Sequence, residues 1–154
     1  MEVVSDAEAV MEEADILPFP GKLLVRFHYD SDSQILHVHV VQGFDIKGKQ
    51  QQLEESPDTF VKLFLLPDNI NSQQTPLIPA DRNPVYDAQF QFPLVEEDFS
   101  SPRSLVFYIY AVLNFSATEL LAEAEVPLRT IPLFEDCEKT LQLEDLSSQV
   151  SKLC

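Results

Sequence analysis

The chain has 154 residues, 45% hydrophobic and 23% charged, an ordinary composition for one domain that buries roughly two-thirds of its unfolded surface, and one that excludes wholesale disorder. Ten Lys plus Arg against 26 Asp plus Glu give a formal charge of -16, which disfavours nucleic acid and anionic lipid and suits a basic protein surface, although the same excess also serves solubility. Cys137 and Cys154 are too few for a disulfide framework and point to a reducing cytosol, while no apolar run approaches the roughly 18 residues of a membrane span and the acidic N-terminus lacks the features of a signal peptide. Any membrane association is expected to be peripheral.

Residues 1–20 read as an acidic extension. Ser5 and Glu8 stand at capping-box spacing, and Val3, Ala7, Val10, Ala14 and Leu17 recur at helical spacing until Pro18 and Pro20 end the pattern. The expectation is a short amphipathic helix, or a tail that becomes one on binding, because a helix this short is marginal alone.

From Gly21 the period changes to two. Leu23, Val25, Phe27 and Tyr29 alternate with Lys22, Leu24, Arg26 and His28, and after a polar turn from Asp30 to Gln34 so do Leu36, Val38 and Val40 with His37 and His39. This spacing predicts a hairpin with one buried face. A polar connection from Gln42 to Pro57 follows, near the length limit for an unstructured loop in a compact domain. Next comes the most apolar stretch of the first half, Thr59 to Asp68. Val61, Leu63 and Leu65 face one way, Phe60, Lys62 and Phe64 the other, and Pro67 with Asp68-Asn69 ends the strand.

Gln73 to Pro79 carries Pro76 and Pro79 and suits a sheet edge. Phe90 and Phe92 alternate with glutamines; Val95 to Ser104 is a connection with room for a short helical turn; Leu105 to Val112 reads as a second interior strand. Ala122, Ala124 and Val126 alternate with Glu123 and Glu125, and Leu141 and Leu143 alternate with Thr140 and Gln142. About eight short strands at regular spacing predict an all-β, eight-stranded antiparallel Greek-key β-sandwich.

The order of short motifs resembles a C2 domain of the synaptotagmin type, nearest to the first of a tandem pair. Gly21-Lys22-Leu23, Tyr29-Asp30, Val61-Lys62, Leu65-Leu66-Pro67-Asp68, Thr75, Asn83-Pro84-Val85-Tyr86, Phe90, Phe92, Glu123 and Pro127 carry the resemblance, which covers 21–146 and leaves 147–154 as a C-terminal tail. It implies a calcium site in which aspartates from the loop before the central strand and the loop after Val112 hold the ion against acidic lipid. Such a site needs about six to eight hard oxygen donors. Asp58 matches one ligand position. The earlier first-loop position falls near Gln50, with Glu54 or Glu55 as the only substitutes. Ala111 and Leu113 stand where the family has aspartates, and Glu119 takes the last acidic position. The resemblance therefore implies a degenerate member with calcium binding lost, with no other cofactor and no metal.

The family's lysine run on the fourth strand is also missing, since Asn69-Ile70-Asn71-Ser72-Gln73 stands in its place. Each absent Lys removes roughly 1 kcal/mol of attraction to an anionic surface, so weak or no anionic membrane binding is expected. Val112, Leu113 and Phe115 are left as candidate contacts for a partner or membrane, unless Val112 and Leu113 fold back over the vacated pocket.

His28, His37 and His39 share one face of the first hairpin, and a symmetric turn sets His28 opposite His37. Such a face can hold zinc or titrate near neutral pH, but is more commonly a solvated strand face. There is no Gly-rich phosphate loop, nucleophile elbow or paired acid and base, so no enzyme and no small-molecule substrate are expected. The resulting expectation is a calcium-independent C2 interaction module, cytoplasmic or peripheral on the cytosolic face of vesicle or plasma membrane, binding trafficking or fusion proteins with basic surfaces. The alternative is a lipid-binding domain with weak or calcium-assisted attachment. Because relatives usually carry a membrane anchor and a second C2 domain, a short isoform or fragment is a further expectation.

Overall fold

The computed structural model describes residues 21–46, 57–67, 72–112 and 117–144. Residues 1–20, with the expected helix or tail, lie outside the described residues, as do 68–71 and 145–154. Among the described residues there are eight strands: β1 (Lys22–Asp30), β2 (Ile35–Phe44), β3 (Asp58–Leu66), β4 (Gln73–Gln74), β5 (Val85–Pro93), β6 (Ser104–Val112), β7 (Thr118–Pro127) and β8 (Cys137–Gln142). They form two antiparallel sheets, in the orders β5-β2-β1-β8 and β4-β3-β6-β7. The chain makes a hairpin in the first sheet, crosses to the second, returns for β5, crosses again for β6 and β7, and returns for β8. This is the interleaving of a Greek-key sandwich.

The period-two pattern places the core. Leu23, Val25, Phe27 and Tyr29 of β1 are buried, as are Leu36, Val38 and Val40 of β2, Val61, Leu63 and Leu65 of β3, and Leu105, Phe107 and Ile109 of β6. Phe27 and Phe107 meet edge to face between the sheets, ring centres 6.5 Å apart. Each such side chain contributes about 1.5–3 kcal/mol by leaving water. The connection before β6 contains the expected helical turn, a 3-10 segment at Glu96–Ser100.

One boundary differs from the sequence expectation. The first polar connection was expected to begin at Gln42, but β2 runs on to Phe44, with Gln42 paired to both Leu24 and Val85. The continuation depends on distant backbone: the Gly43 amide donates to the Pro84 carbonyl at 2.9 Å, and the register shifts between Leu24 and Val25. At Gly43 a Cβ would lie 3.0 Å from the Ile46 side chain, a tight contact from which Ile46 would have to shift. Gly21, at a φ of +119°, admits the close passage of the Phe44 carbonyl at the start of β1.

Candidate functional site at the loop end of the sandwich

The ends of β3, β6 and β7 lie side by side. Asp58 pairs with Val112 and Thr59 with Ala111 across β3 and β6, and Ala111 pairs with Glu119 across β6 and β7. Three of the four positions singled out as remnants of a calcium site, Asp58, Ala111 and Glu119, are thus brought to one end on neighbouring strands. Leu113, the fourth, and Phe115 lie outside the described residues. Val112 is described and half-buried, beside Asp58 in the ladder.

The Asp58 side chain has a specific partner. Its Oδ1 accepts the backbone N–H of Ala80 at 2.7 Å. That bond continues a short ladder in which the Thr59 amide donates to the Ile78 carbonyl at 3.0 Å and the Ile78 amide returns to Thr59 at 2.8 Å. One carboxylate oxygen therefore fixes the 78–80 segment against the start of β3. Ala111 is 1% exposed and contributes a methyl group to the interior. Across the ladder from it, the hydroxyl of Thr59 shares a buried hydrogen bond of 2.7 Å with the Tyr86 hydroxyl. Burial pushes the Tyr86 hydroxyl up to about 12, against the smaller opposing effect of that bond.

The Asn83-Pro84-Val85-Tyr86 motif explains how this end is braced. The Asn83 side-chain oxygen accepts the Asp45 amide at 2.9 Å, Pro84 accepts from Gly43, and the Ile46 amide donates to the Arg82 carbonyl at 2.8 Å. Arg82 Nε also meets Asp45 Oδ1 at 3.1 Å. The motif clamps the point where the first loop leaves β2. Asp81 accepts the Asn83 amide at 2.8 Å and shapes the turn that presents it.

Sequence reasoning missed a second feature. The outer face of β3 and β6 carries an aromatic array: Phe60 stacks on Tyr110 with ring centres 5.3 Å apart, Phe64 meets Tyr108 edge to face at 5.3 Å, and Lys62 Nζ lies 5.4 Å above the Phe64 ring. Burial, then Glu123, Tyr110 and Glu125, raise the Tyr108 hydroxyl. The signal was the alternation in β6, where Tyr108 and Tyr110 share a parity that the apolar run as a whole conceals. At the edge of this sheet β4 is Gln73–Gln74, and Lys62 pairs across to Gln74; residues 69–71 of the segment expected in place of a lysine run lie outside the described residues.

His28 does sit opposite His37, ring centres 5.8 Å apart. Carboxylates hold two of the histidines: His28 Nδ1 lies 2.7 Å from Asp136 Oδ1 and His39 Nε2 lies 2.7 Å from Asp87 Oδ1. Among the described residues, no three His, Cys, Asp or Glu side chains converge as metal ligands, and no helix is long and apolar enough to cross a membrane.

Comparison with known proteins agrees with this architecture. The profile of the C2 domain family matches residues 34–145. Synaptotagmin-1 of Aplysia californica is 31% identical over 151 residues, covering 97% of this chain and 34% of that protein. Human synaptotagmin-10 is 32% identical over 103 residues, covering 67% of this chain and 19% of that protein. The chain thus spans about a third or less of the length of these curated relatives. Among solved structures, a C2 domain of RIM from Drosophila superposes with a TM-score of 0.70 at 22% identity, over 81% of this chain and 100% of that one. A double four-stranded sandwich, a clamp built by Asn83 to Tyr86 and a match over most of the chain together establish that this protein belongs to the C2 domain family.

Proposed function

We propose that the chain is a calcium-independent C2 module that binds proteins in membrane trafficking, without enzymatic activity and without a bound metal. One observation carries the reading: at the loop end, Asp58 commits a carboxylate oxygen to the Ala80 amide while Ala111 presents only a buried methyl group. Calcium requires about six to eight oxygens and enough negative charge to offset its dehydration. Asp58 and Glu119 are the only carboxylates among the four positions, and a methyl group supplies neither donor nor charge. These residues do not fit the ion that the family usually holds. The kinship with synaptotagmins supports a role in trafficking on the cytosolic face of membranes.

The same surface argues against lipid as the main ligand. The net charge of -16 repels acidic headgroups, and Asn69-Ile70-Asn71-Ser72-Gln73 stands where the resemblance implies lysines. The test is sedimentation with phosphatidylserine vesicles at physiological salt, with and without calcium, beside calorimetric calcium titration. The wild-type chain stays in the supernatant and gives no calcium heat, whereas the Ala111→Asp, Leu113→Asp double variant gains calcium binding. Calcium-dependent sedimentation of the wild-type chain would reject the reading in favour of a lipid-binding C2 domain.

A further inference from the structure

The opposite end of the sandwich is the less expected surface. The β1–β2 turn, the 3-10 segment at Glu96–Ser100 and the connection from Leu128 to Asp136 meet there. It lies roughly 25–30 Å from the loop end, the length of a nine-residue strand. Phe134 stands out on it at 81% exposure, far more than the other exposed large apolar side chains, and Val95, at 40%, is on the same end. Beside it runs an open groove of about 430 Å³, lined by Phe99, Ile131 and Leu133 with Glu96, Glu97 and Arg129 at the rim. Leu133 also borders a second hollow of about 230 Å³ containing Phe134, Glu135 and Asp136. The two hollows share Leu133 as a wall: the larger has the apolar floor, and the smaller sets Phe134 among His28, Asp30, Ser31, Glu135 and Asp136.

Charge around this floor is one-sided. Asp98 is paired with Arg103 and Asp136 with His28, but Glu96, Glu97 and Glu135 have no ion pair with another described residue. Among the described residues, Arg129 is the one cation lining the larger groove. The field reaches inward too, since Glu96, Asp98 and Glu97 add to burial in raising the hydroxyl of Tyr29, which donates to the Leu94 carbonyl at 2.6 Å. An exposed aromatic ring beside an apolar groove, with carboxylates that form no ion pair with another described residue, is complementary to a segment with the opposite charge and its own apolar side chain.

We propose that this end docks a basic amphipathic peptide segment of a partner protein. A large apolar side chain of the partner enters the groove lined by Phe99, Ile131 and Leu133, Phe134 packs against the segment from the neighbouring hollow, and flanking arginines or lysines meet Glu96, Glu97 and Glu135. This rests on the protein-binding reading above and assigns it a surface and a partner chemistry. Docking here leaves the loop end and the aromatic outer face of β3 and β6 uncovered.

The test uses the full chain and a fluorescein-labelled peptide in which arginines flank a leucine–phenylalanine pair, read by anisotropy. Controls are a peptide with the apolar pair replaced by serines and one with the arginines replaced by glutamates. The first peptide is expected to bind at least about tenfold more tightly than either control. Phe134→Ser, and separately the Glu96→Lys, Glu97→Lys double variant, each weaken it by about tenfold with the thermal midpoint unchanged, because these side chains are solvent-facing. Amide shifts on binding are expected at 95–99 and 129–136. Equal binding of the serine control, full binding by both variants, or shifts confined to other surfaces would overturn the proposal, as would no binding at all. Phosphatidylserine vesicles that sediment the wild-type chain but not Phe134→Ser would assign this end to lipid and equally overturn it. Peptide docking together with micromolar calcium binding would sink only the calcium-independent reading; calcium silence with no docking would sink only this one.

Discussion

Asp58 Oδ1 holds the backbone amide of Ala80 at 2.7 Å, joining the first residue of β3 to a segment 22 positions later. A carboxylate that the resemblance sets at a calcium-ligand position thus acts as a structural fastener. Asp58→Ala is expected to destabilise the fold by about 1 kcal/mol, the lower range for a charge-assisted bond because the group is half-buried and partly screened. Thermal melts with and without calcium check it: both proteins should melt independently of calcium, and a calcium-dependent rise in the wild-type midpoint that vanishes in the variant would give Asp58 a ligand's role.

The buried pair of Thr59 and Tyr86 gives an alkaline signature. Folding raises the Tyr86 hydroxyl to about 12 from an unfolded value near 10, so the folded state binds its proton more tightly between those limits. The resulting stability is fully present below about pH 10 and is lost as pH rises toward 12, on the order of 2–3 kcal/mol. Urea unfolding between pH 9 and 12 should show the decline, with a shallower slope in Tyr86→Phe. At neutral pH the same variant leaves the Thr59 hydroxyl without its partner and costs about 1–3 kcal/mol.

Phe60 and Tyr110 stack across β3 and β6 on the outer face. A double-mutant cycle with Phe60→Leu and Tyr110→Leu should give a coupling of about 0.5–1.5 kcal/mol beyond the separate losses of area. Chemical denaturation of the four proteins measures it, and additive losses would show that the rings are merely neighbours.

The Asn83 clamp predicts a local effect. Asn83→Ala removes the acceptor of the Asp45 amide at a cost of about 1 kcal/mol, and hydrogen exchange should accelerate at Asp45 and its neighbour Ile46 while β6 amides stay protected. Uniform acceleration across β6 would mean that the clamp belongs to the global unit.

Periodicity determined much of this protein. The alternation in β1 and β2 put Leu23 to Tyr29 and Leu36 to Val40 in the interior and His28 opposite His37, because side-chain direction along a strand is a local property with period two. That Ala111 and Leu113 stand where the family has aspartates rests on residue identity and the resemblance alone. Tertiary structure alone decided the rest. It carried β2 through Phe44 by a bond to Pro84, gave the Asp58 carboxylate to Ala80, set Phe60 on Tyr110, and gathered Glu96, Ile131 and Phe134 at one end. Each of those relationships joins residues far apart in the chain, and a hydrogen bond or ring contact acts over only a few ångströms, so none exists until the two sheets have closed on each other.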